Sequence, residues 1–146
     1  MSNANEKQVG GNHYKVSGGR QHWDLIDDFN VGYLEGCFTK YVTRWMNKDG
    51  LKDLRKAEHF AQKLYEKRSA MNSVERCPNV PTFEIFQYAS ANRLGPAEFQ
   101  LVEKMLTWKQ PSDLLEVLRL LADLINIAQI VEDEGAMPGP GYVNQD

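Results

Sequence analysis

The sequence predicts an all-α protein, a small helical bundle with a Gly-rich N-terminal loop and a C-terminal helical extension. Apolar residues recur at 3-4 spacing through most of the chain. The periodic stretches are separated by breaker clusters such as Asn47-Lys48-Asp49-Gly50 and Leu94-Gly95-Pro96. No stretch reads as a β-strand, and no internal repeat or coiled-coil heptad run is visible. At 146 residues the chain is one domain, or one small domain with an extension. That length buries a core without a metal or disulfide staple.

Residues 1–9 carry no apolar period and read as a flexible arm, and residues 10–21 as a loop. Trp23, Leu25, Ile26 and Phe29 then suit a short helix, with Asp27 and Asp28 on its other side. From Val31 to Met46, Leu34, Phe38, Tyr41, Val42 and Trp45 form one stripe of a stronger helix. Asp49 is placed to cap the next helix, which runs from Leu51 to Ala70 with Leu54, Ala57, Ala61 and Leu64 inward. Its neighbouring stripe is basic: Lys52, Lys56, His59 and Lys63. The short turn between these two helices predicts an antiparallel hairpin. Residues 10–70 therefore form one helical domain, and residues 71–81, with Pro78 and Pro81, a linker.

Residues 82–146 form a C-terminal helical subdomain and tail. Thr82 is placed to cap a helix to Asn92, and Pro96 opens another that runs to Trp108. A long helix from Ser112 to Glu134 carries Leu114, Leu115, Leu118, Leu121, Leu124, Ile125, Ala128 and Val131. So broad an apolar face predicts cover from another helix or another subunit, and hence a homo-oligomer. The tail from Met137, rich in Pro and Gly, reads as irregular.

The net charge of −3 hides an asymmetry: residues 1–77 sum to +3 and residues 78–146 to −6. An anionic ligand belongs with the basic half. The acidic total argues against general nucleic-acid binding. No window approaches the ~18 apolar residues of a membrane span. The polar N-terminus does not read as a secretory signal, so a cytoplasmic location is expected. Cys37 and Cys77 lie far apart in unlike contexts and form no CxxC pair, so no metal site is predicted.

The chemistry concentrates near the N-terminus. Gly10-Gly11-Asn12-His13-Tyr14-Lys15 precedes Gly18-Gly19, Arg20, His22 and Trp23. Glycines let backbone N–H groups turn toward an anion, Lys and Arg supply charge, and Trp and Tyr offer flat faces to a base. The same composition also suits an arm that binds nothing. Lys40 and Arg44, four apart on one helix, could hold a phosphate, or be solvated flanks. A GxxxxGK[ST] phosphate loop and a GxGxxG turn are both absent. Asp113, Glu116 and Asp123 have the spacing of magnesium-holding acids, and equally that of a solvated helix face.

The ordered series of Gly11-Asn12-His13-Tyr14-Lys15, Trp23-x-x-Ile26, Gly32-x-x-Glu35-Gly36, Lys40-Tyr41-x-x-Arg44 and Asp53-Leu54-x-Lys56-Ala57 resembles the phage-encoded nucleotide-kinase-like family. This is a small domain whose best-known relative is a deoxynucleoside monophosphate kinase lacking a phosphate loop. The resemblance covers roughly residues 10–67 and leaves residues 71–146 without a counterpart. The family's basic run after the helix-two Arg is replaced here by Trp45-Met46-Asn47 before a single Lys48. The resemblance implies a phage or prophage protein that handles nucleotides in the host cytoplasm. Its pattern falls on His13, Tyr14, Lys40, Tyr41, Arg44, Asp53 and Lys56. With the loop composition, the expected ligand set is His13, Tyr14, Lys15, Trp23, Lys40, Tyr41, Arg44 and Lys56. A kinase-like enzyme, a non-catalytic sponge for a nucleotide immune signal, and a helical assembly or regulatory protein all fit. No cofactor beyond the nucleotide is required, and accompanying magnesium is left open.

Overall fold

The computed structural model describes residues 4–5, 21–71 and 76–135. The Gly-rich loop, with His13, Tyr14 and Lys15, lies outside the described residues, as does the tail from residue 136. Among the described residues there are six α-helices and no strand: α1 (His22–Asp28), α2 (Tyr33–Arg44), α3 (Leu51–Met71), α4 (Thr82–Ala91), α5 (Pro96–Thr107) and α6 (Pro111–Asp133). A 3₁₀ turn, Trp45–Asn47, continues α2. The fold is therefore all-α.

Four helices close into a ring, with α2 packed on α3 and α5, and α6 packed on α3 and α5. The core between them holds Phe38 and Val42 of α2, Leu54, Ala61 and Leu64 of α3, Leu101 and Met105 of α5, and Leu114, Leu121 and Ile125 of α6. The α4 helix packs on α5 and α1. None of the described helices is long and apolar enough to cross a membrane.

The two halves of the chain are copies of one design, which corrects the expectation of no internal repeat. At a constant offset of 63 positions (30 to 93), Asn30 and Arg93 both take the left-handed backbone, with φ of 53° and 54°. Each is the turning residue after a helix whose end is closed by the same pair of bonds. Asn30 N–H donates to the Asp27 carbonyl and Val31 N–H to that of Ile26; Arg93 N–H donates to Ser90 and Leu94 N–H to Ala89. Both are Schellman closures, with an apolar residue directly after the turn. Gly32 and Gly95 then start α2 and α5 as extended N-caps, and Trp45 and Trp108 end them. Glu35 and Glu98 each stand three residues after the glycine.

Because α2 and α5 are antiparallel neighbours, the two copies exchange contacts. Trp45 Nε1 donates to Glu98 Oε2 at 3.2 Å, and Trp108 Nε1 donates to Glu35 Oε2 at 3.0 Å. A reciprocal pair of this kind is the mark of two-fold packing, here within one chain. The sequence does carry the signal, a Gly-x-x-Glu followed ten positions after the Glu by Trp, occurring twice. Hydrophobic periodicity conceals it, because apolar positions exchange freely between residue types.

Three further expectations change. Asp49 serves its helix through backbone, donating its N–H to Asp53 Oδ2 at 3.2 Å and accepting from Lys52 N–H. Pro81, not Thr82, is the N-cap of α4. The α6 helix starts at Pro111 with Gln110 as N-cap; the Gln110 carbonyl accepts from the Asp113 N–H, and the Asp113 carboxylate accepts from the Gln110 N–H. The wide face of α6 is covered inside the chain, with Leu114, Val117, Leu121, Ile125 and Ala128 buried. Leu115, Ile127 and Ile130 remain exposed.

Candidate functional site

The α2–α3 hairpin gathers three cations around one ring. Lys40 and Arg44 lie one turn apart on α2 with Tyr41 beside them, and antiparallel α3 brings Lys56 to the same place. Measured to the Tyr41 ring centroid, Arg44 Cζ lies at 4.7 Å, Lys56 Nζ at 5.3 Å and Lys40 Nζ at 5.6 Å. These are cation–π distances. Phe60, one turn beyond Lys56, stacks on Tyr41 with centroids 5.9 Å apart and planes 17° apart. Tyr33, exposed at the start of α2, meets the same Phe60 edge-on at 6.1 Å.

Arg44 is buried and held from below. Its Nε and Nη2 donate to Asp53 Oδ2 and Oδ1, each at 3.2 Å, and Asp53 is wholly buried. This bidentate fork fixes the guanidinium against the Tyr41 face. It corrects the reading of Arg44 as a solvated helix flank. Asp53 is the residue that sequence spacing could not place. Its role depends on the hairpin turn, which returns the start of α3 to the end of α2.

A second feature adjoins the first through Lys40. Between α1 and α2 lies an open cavity of about 310 Å³, lined among others by Trp23, Asp27, Asn30, Tyr33, Cys37 and Lys40. Trp23 is half exposed, and its indole N–H donates to Asn5 Oδ1 at 2.7 Å. Asn5 is further tied to α1 by Gln21, which donates to its carbonyl at 2.6 Å, and by its own amide donating to Asp24 at 2.6 Å. Behind the cavity, His22 Nε2 lies 2.8 Å from Thr39 Oγ1. That hydroxyl donates to the carbonyls of Glu35 and Gly36, at 3.0 and 3.1 Å, so it can accept from the imidazole. Burial, and next the Lys40 charge, push His22 down to about 4, against a weaker opposing bond with the Gly36 backbone. His22 is thus neutral at physiological pH.

Of the sequence-predicted ligand set, Trp23, Lys40, Tyr41, Arg44 and Lys56 come together on the α1–α2–α3 face. His13, Tyr14 and Lys15 lie outside the described residues. The basic stripe on α3 does not act as one unit, since Lys56 belongs to the Tyr41 cluster while Lys63 lines a separate cavity. The α6 acids are structural: Asp113 accepts from the backbone N–H groups of Lys109 and Gln110, and Glu116 and Asp123 flank Arg119 at 2.7 and 3.4 Å.

The repeat supplies an internal control. The turn into α6 is three residues shorter than the turn into α3, so the offset is 63 on α2 and 60 on α3: Lys40, Tyr41, Arg44, Asp53 and Lys56 correspond to Glu103, Lys104, Thr107, Asp113 and Glu116. The aromatic ring is gone, Glu103 and Glu116 reverse the charge of Lys40 and Lys56, and Asp113 accepts only from the Lys109 and Gln110 backbone N–H groups. The α1–α2 cavity also has its counterpart, about 430 Å³, lined by Phe86, Ser90, Arg93, Pro96 and Phe99 among others. Phe99 stands there where the first half has Gly36, and Glu103 replaces Lys40. The scaffold is shared, while the charge and the aromatic ring belong to the first half alone. The chain matches no family model, no curated protein and no solved structure.

Proposed function

We propose that this chain handles nucleotides, as a nucleotide-kinase-like phosphotransferase without a phosphate loop that acts on deoxynucleoside monophosphates in the host cytoplasm. The observation that carries the reading is the clustering of Lys40, Arg44 and Lys56 around Tyr41. Phosphoryl transfer asks a protein chiefly for positioning and charge neutralisation, and a fixed set of cations beside a flat aromatic surface supports both. Lys40 and Lys56 face the phosphates, Arg44 is positioned by Asp53, and Trp23 and Tyr41 offer surfaces to the base. His13, Tyr14 and Lys15 complete the ligand set from the preceding loop.

A second reading, a non-catalytic sponge that sequesters a nucleotide immune signal, draws on Asp53. The carboxylate of the cluster is wholly buried and bonded to Arg44 and the Asp49 N–H, which suits it to structure rather than to a base. One experiment separates the two. Purified protein is incubated with deoxynucleoside monophosphates, ATP and magnesium, and the nucleotides are recovered by denaturation and identified by mass spectrometry. Newly formed diphosphate supports the kinase; a captured nucleotide returned unchanged supports the sponge. Lys40→Gln/Lys56→Gln, at unchanged melting temperature, is expected to lose either activity at least tenfold, since each charge-assisted bond contributes about 1.5–3 kcal/mol. Full activity in that variant would remove this face from consideration. A homo-oligomer built through α6 would now rest on Leu115, Ile127 and Ile130, and Ile127→Lys/Ile130→Lys is expected to shift it to monomer in light scattering.

A further inference from the structure

We propose that a second cavity, distinct from the Tyr41 face and independent of the reading given to it, binds a chain of condensed phosphates. This cavity, about 600 Å³, lies between the start of α2, the last turns of α3 and the segment at residues 76–77. Lys63, Lys67, Arg68 and Arg76 line it, against the single carboxylate of Glu35. Lys63 and Lys67 are one turn apart on α3, so their ammonium groups serve the same wall.

Arg68 is the decisive residue. It is only 5% exposed, yet its Nε has no hydrogen-bond partner, and its Nη1 reaches only the Met71 thioether at 3.8 Å. Among the described residues it forms no ion pair. A buried guanidinium without an anion is costly, because its charge has lost water and gained nothing. Contrast Arg44, equally buried, whose fork is filled by Asp53. A phosphate oxygen in this cavity gives Arg68 what Asp53 gives Arg44. The first turn of α2 forms another wall, and a helix N-terminus favours the same sign of ligand.

Glu35 adds a second requirement. Its Oε2 accepts from Trp108, but Oε1 is buried without a partner. That oxygen is an acceptor for a ligand hydroxyl or amine, such as a nucleoside carries and an inorganic chain lacks. Four cations against one carboxylate suit a di- or triphosphate better than a single phosphate. The duplicated half again serves as control, for the matching stretch of α6, Asp123 to Ala128, contains no Lys or Arg.

The test uses the full-length protein titrated calorimetrically with inorganic tripolyphosphate and, separately, with ATP. Saturable tripolyphosphate binding is expected, weakened at least tenfold in Lys63→Gln/Lys67→Gln and unchanged in Lys104→Gln, a cation of α5 that lines neither this cavity nor the Tyr41 face. Arg68→Met is expected to melt no lower than the parent without ligand, losing only the long contact to the Met71 thioether, and to lose the ligand-induced rise in melting temperature. ATP binding that is tighter than tripolyphosphate and is likewise weakened in the Lys63/Lys67 variant assigns the site to a nucleotide through Glu35; tighter tripolyphosphate assigns it to the inorganic chain. Either keeps the cavity as a polyphosphate site. The proposal is overturned if neither ligand saturates, or if the Lys63/Lys67 variant binds tripolyphosphate like the parent.

Discussion

The first half of the chain, from α1 to α3, and the second, from α4 to α6, share a skeleton and differ in their surfaces. Both keep the left-handed residue that turns α1 into α2 and α4 into α5, the glycine that opens the next helix, and the Glu and Trp that cross to the other copy. These residues fix how two helical units pack face to face. Only the first half keeps Tyr41 with its three cations and the basic wall over Glu35. A duplicated fold thus sorts residues by what they are for. Those held in both copies build the scaffold, and those found in one copy are free of that duty and point to a ligand.

The largest expected difference between the halves lies at Arg44 and its counterpart Thr107. Arg44→Ala leaves Asp53 buried with its charge unpaired, which costs about 3–5 kcal/mol. Thr107 is half-buried and bonds only back to the Glu103 carbonyl, so Thr107→Ala costs less than about 1 kcal/mol. Chemical denaturation of the two variants measures both. Arg44→Ala/Asp53→Asn should recover much of the loss, since it removes the stranded charge. Equal costs for Arg44→Ala and Thr107→Ala would dissolve the distinction between the halves at this point.

A smaller effect separates His22 from its counterpart Ile85. The native state holds His22 near 4, below its ordinary 6.5, so it favours the neutral ring. Between those values the unfolded chain binds the proton and the folded chain does not. His22 therefore contributes stability that is present above about pH 6.5 and is lost as pH falls toward 4. The full shift is worth about 3 kcal/mol. Ile85 is buried and has no proton to take up. Thermal melts of the parent and His22→Asn across this pH range should converge as pH falls, and parallel curves would mean that His22 titrates normally.

Much of the fold could be read directly from sequence. Each helix shows its apolar stripe, and Gly50, Gly95 with Pro96, and Pro111 mark its boundaries. The repeat was hidden because apolar side chains substitute for one another: Phe38 faces Leu101 and Val42 faces Met105 in the alignment of halves, with the same burial and different identity. At the Tyr41 face, Lys40 and Arg44 were legible as a pair on one helix, and Lys56 came through the family resemblance. The link from Arg44 to Asp53, and Phe60 under Tyr41, required the hairpin to close. The basic cavity was invisible for a further reason: Glu35 and Arg68 are separated in sequence, and only burial makes their unpartnered atoms significant.

The finest comparison is between the two N-cap glycines. A Cβ on Gly32 would stand 2.7 Å from Glu35 Oε1, and one on Gly95 would stand 2.7 Å from Glu98 Oε1. Both carboxylates must move for alanine to fit. Each carboxylate is held by a buried Trp, but Glu98 and Trp45 are 8% and 4% exposed while Glu35 and Trp108 are 1% exposed, so Glu98 yields more readily. Gly95→Ala is therefore expected to cost a few tenths of a kcal/mol, near the usual penalty for a poor N-cap, and Gly32→Ala about 1 kcal/mol more. For a domain of this size, each kcal/mol moves the melting temperature by roughly 2–8 °C. Glu35→Gln should not relieve Gly32→Ala, because the clash is one of shape rather than charge, whereas Glu35→Ala should. If Gly95→Ala proves the more damaging, the freedom assigned to Glu98 is wrong, and the two halves are more alike at their joint than their burial implies.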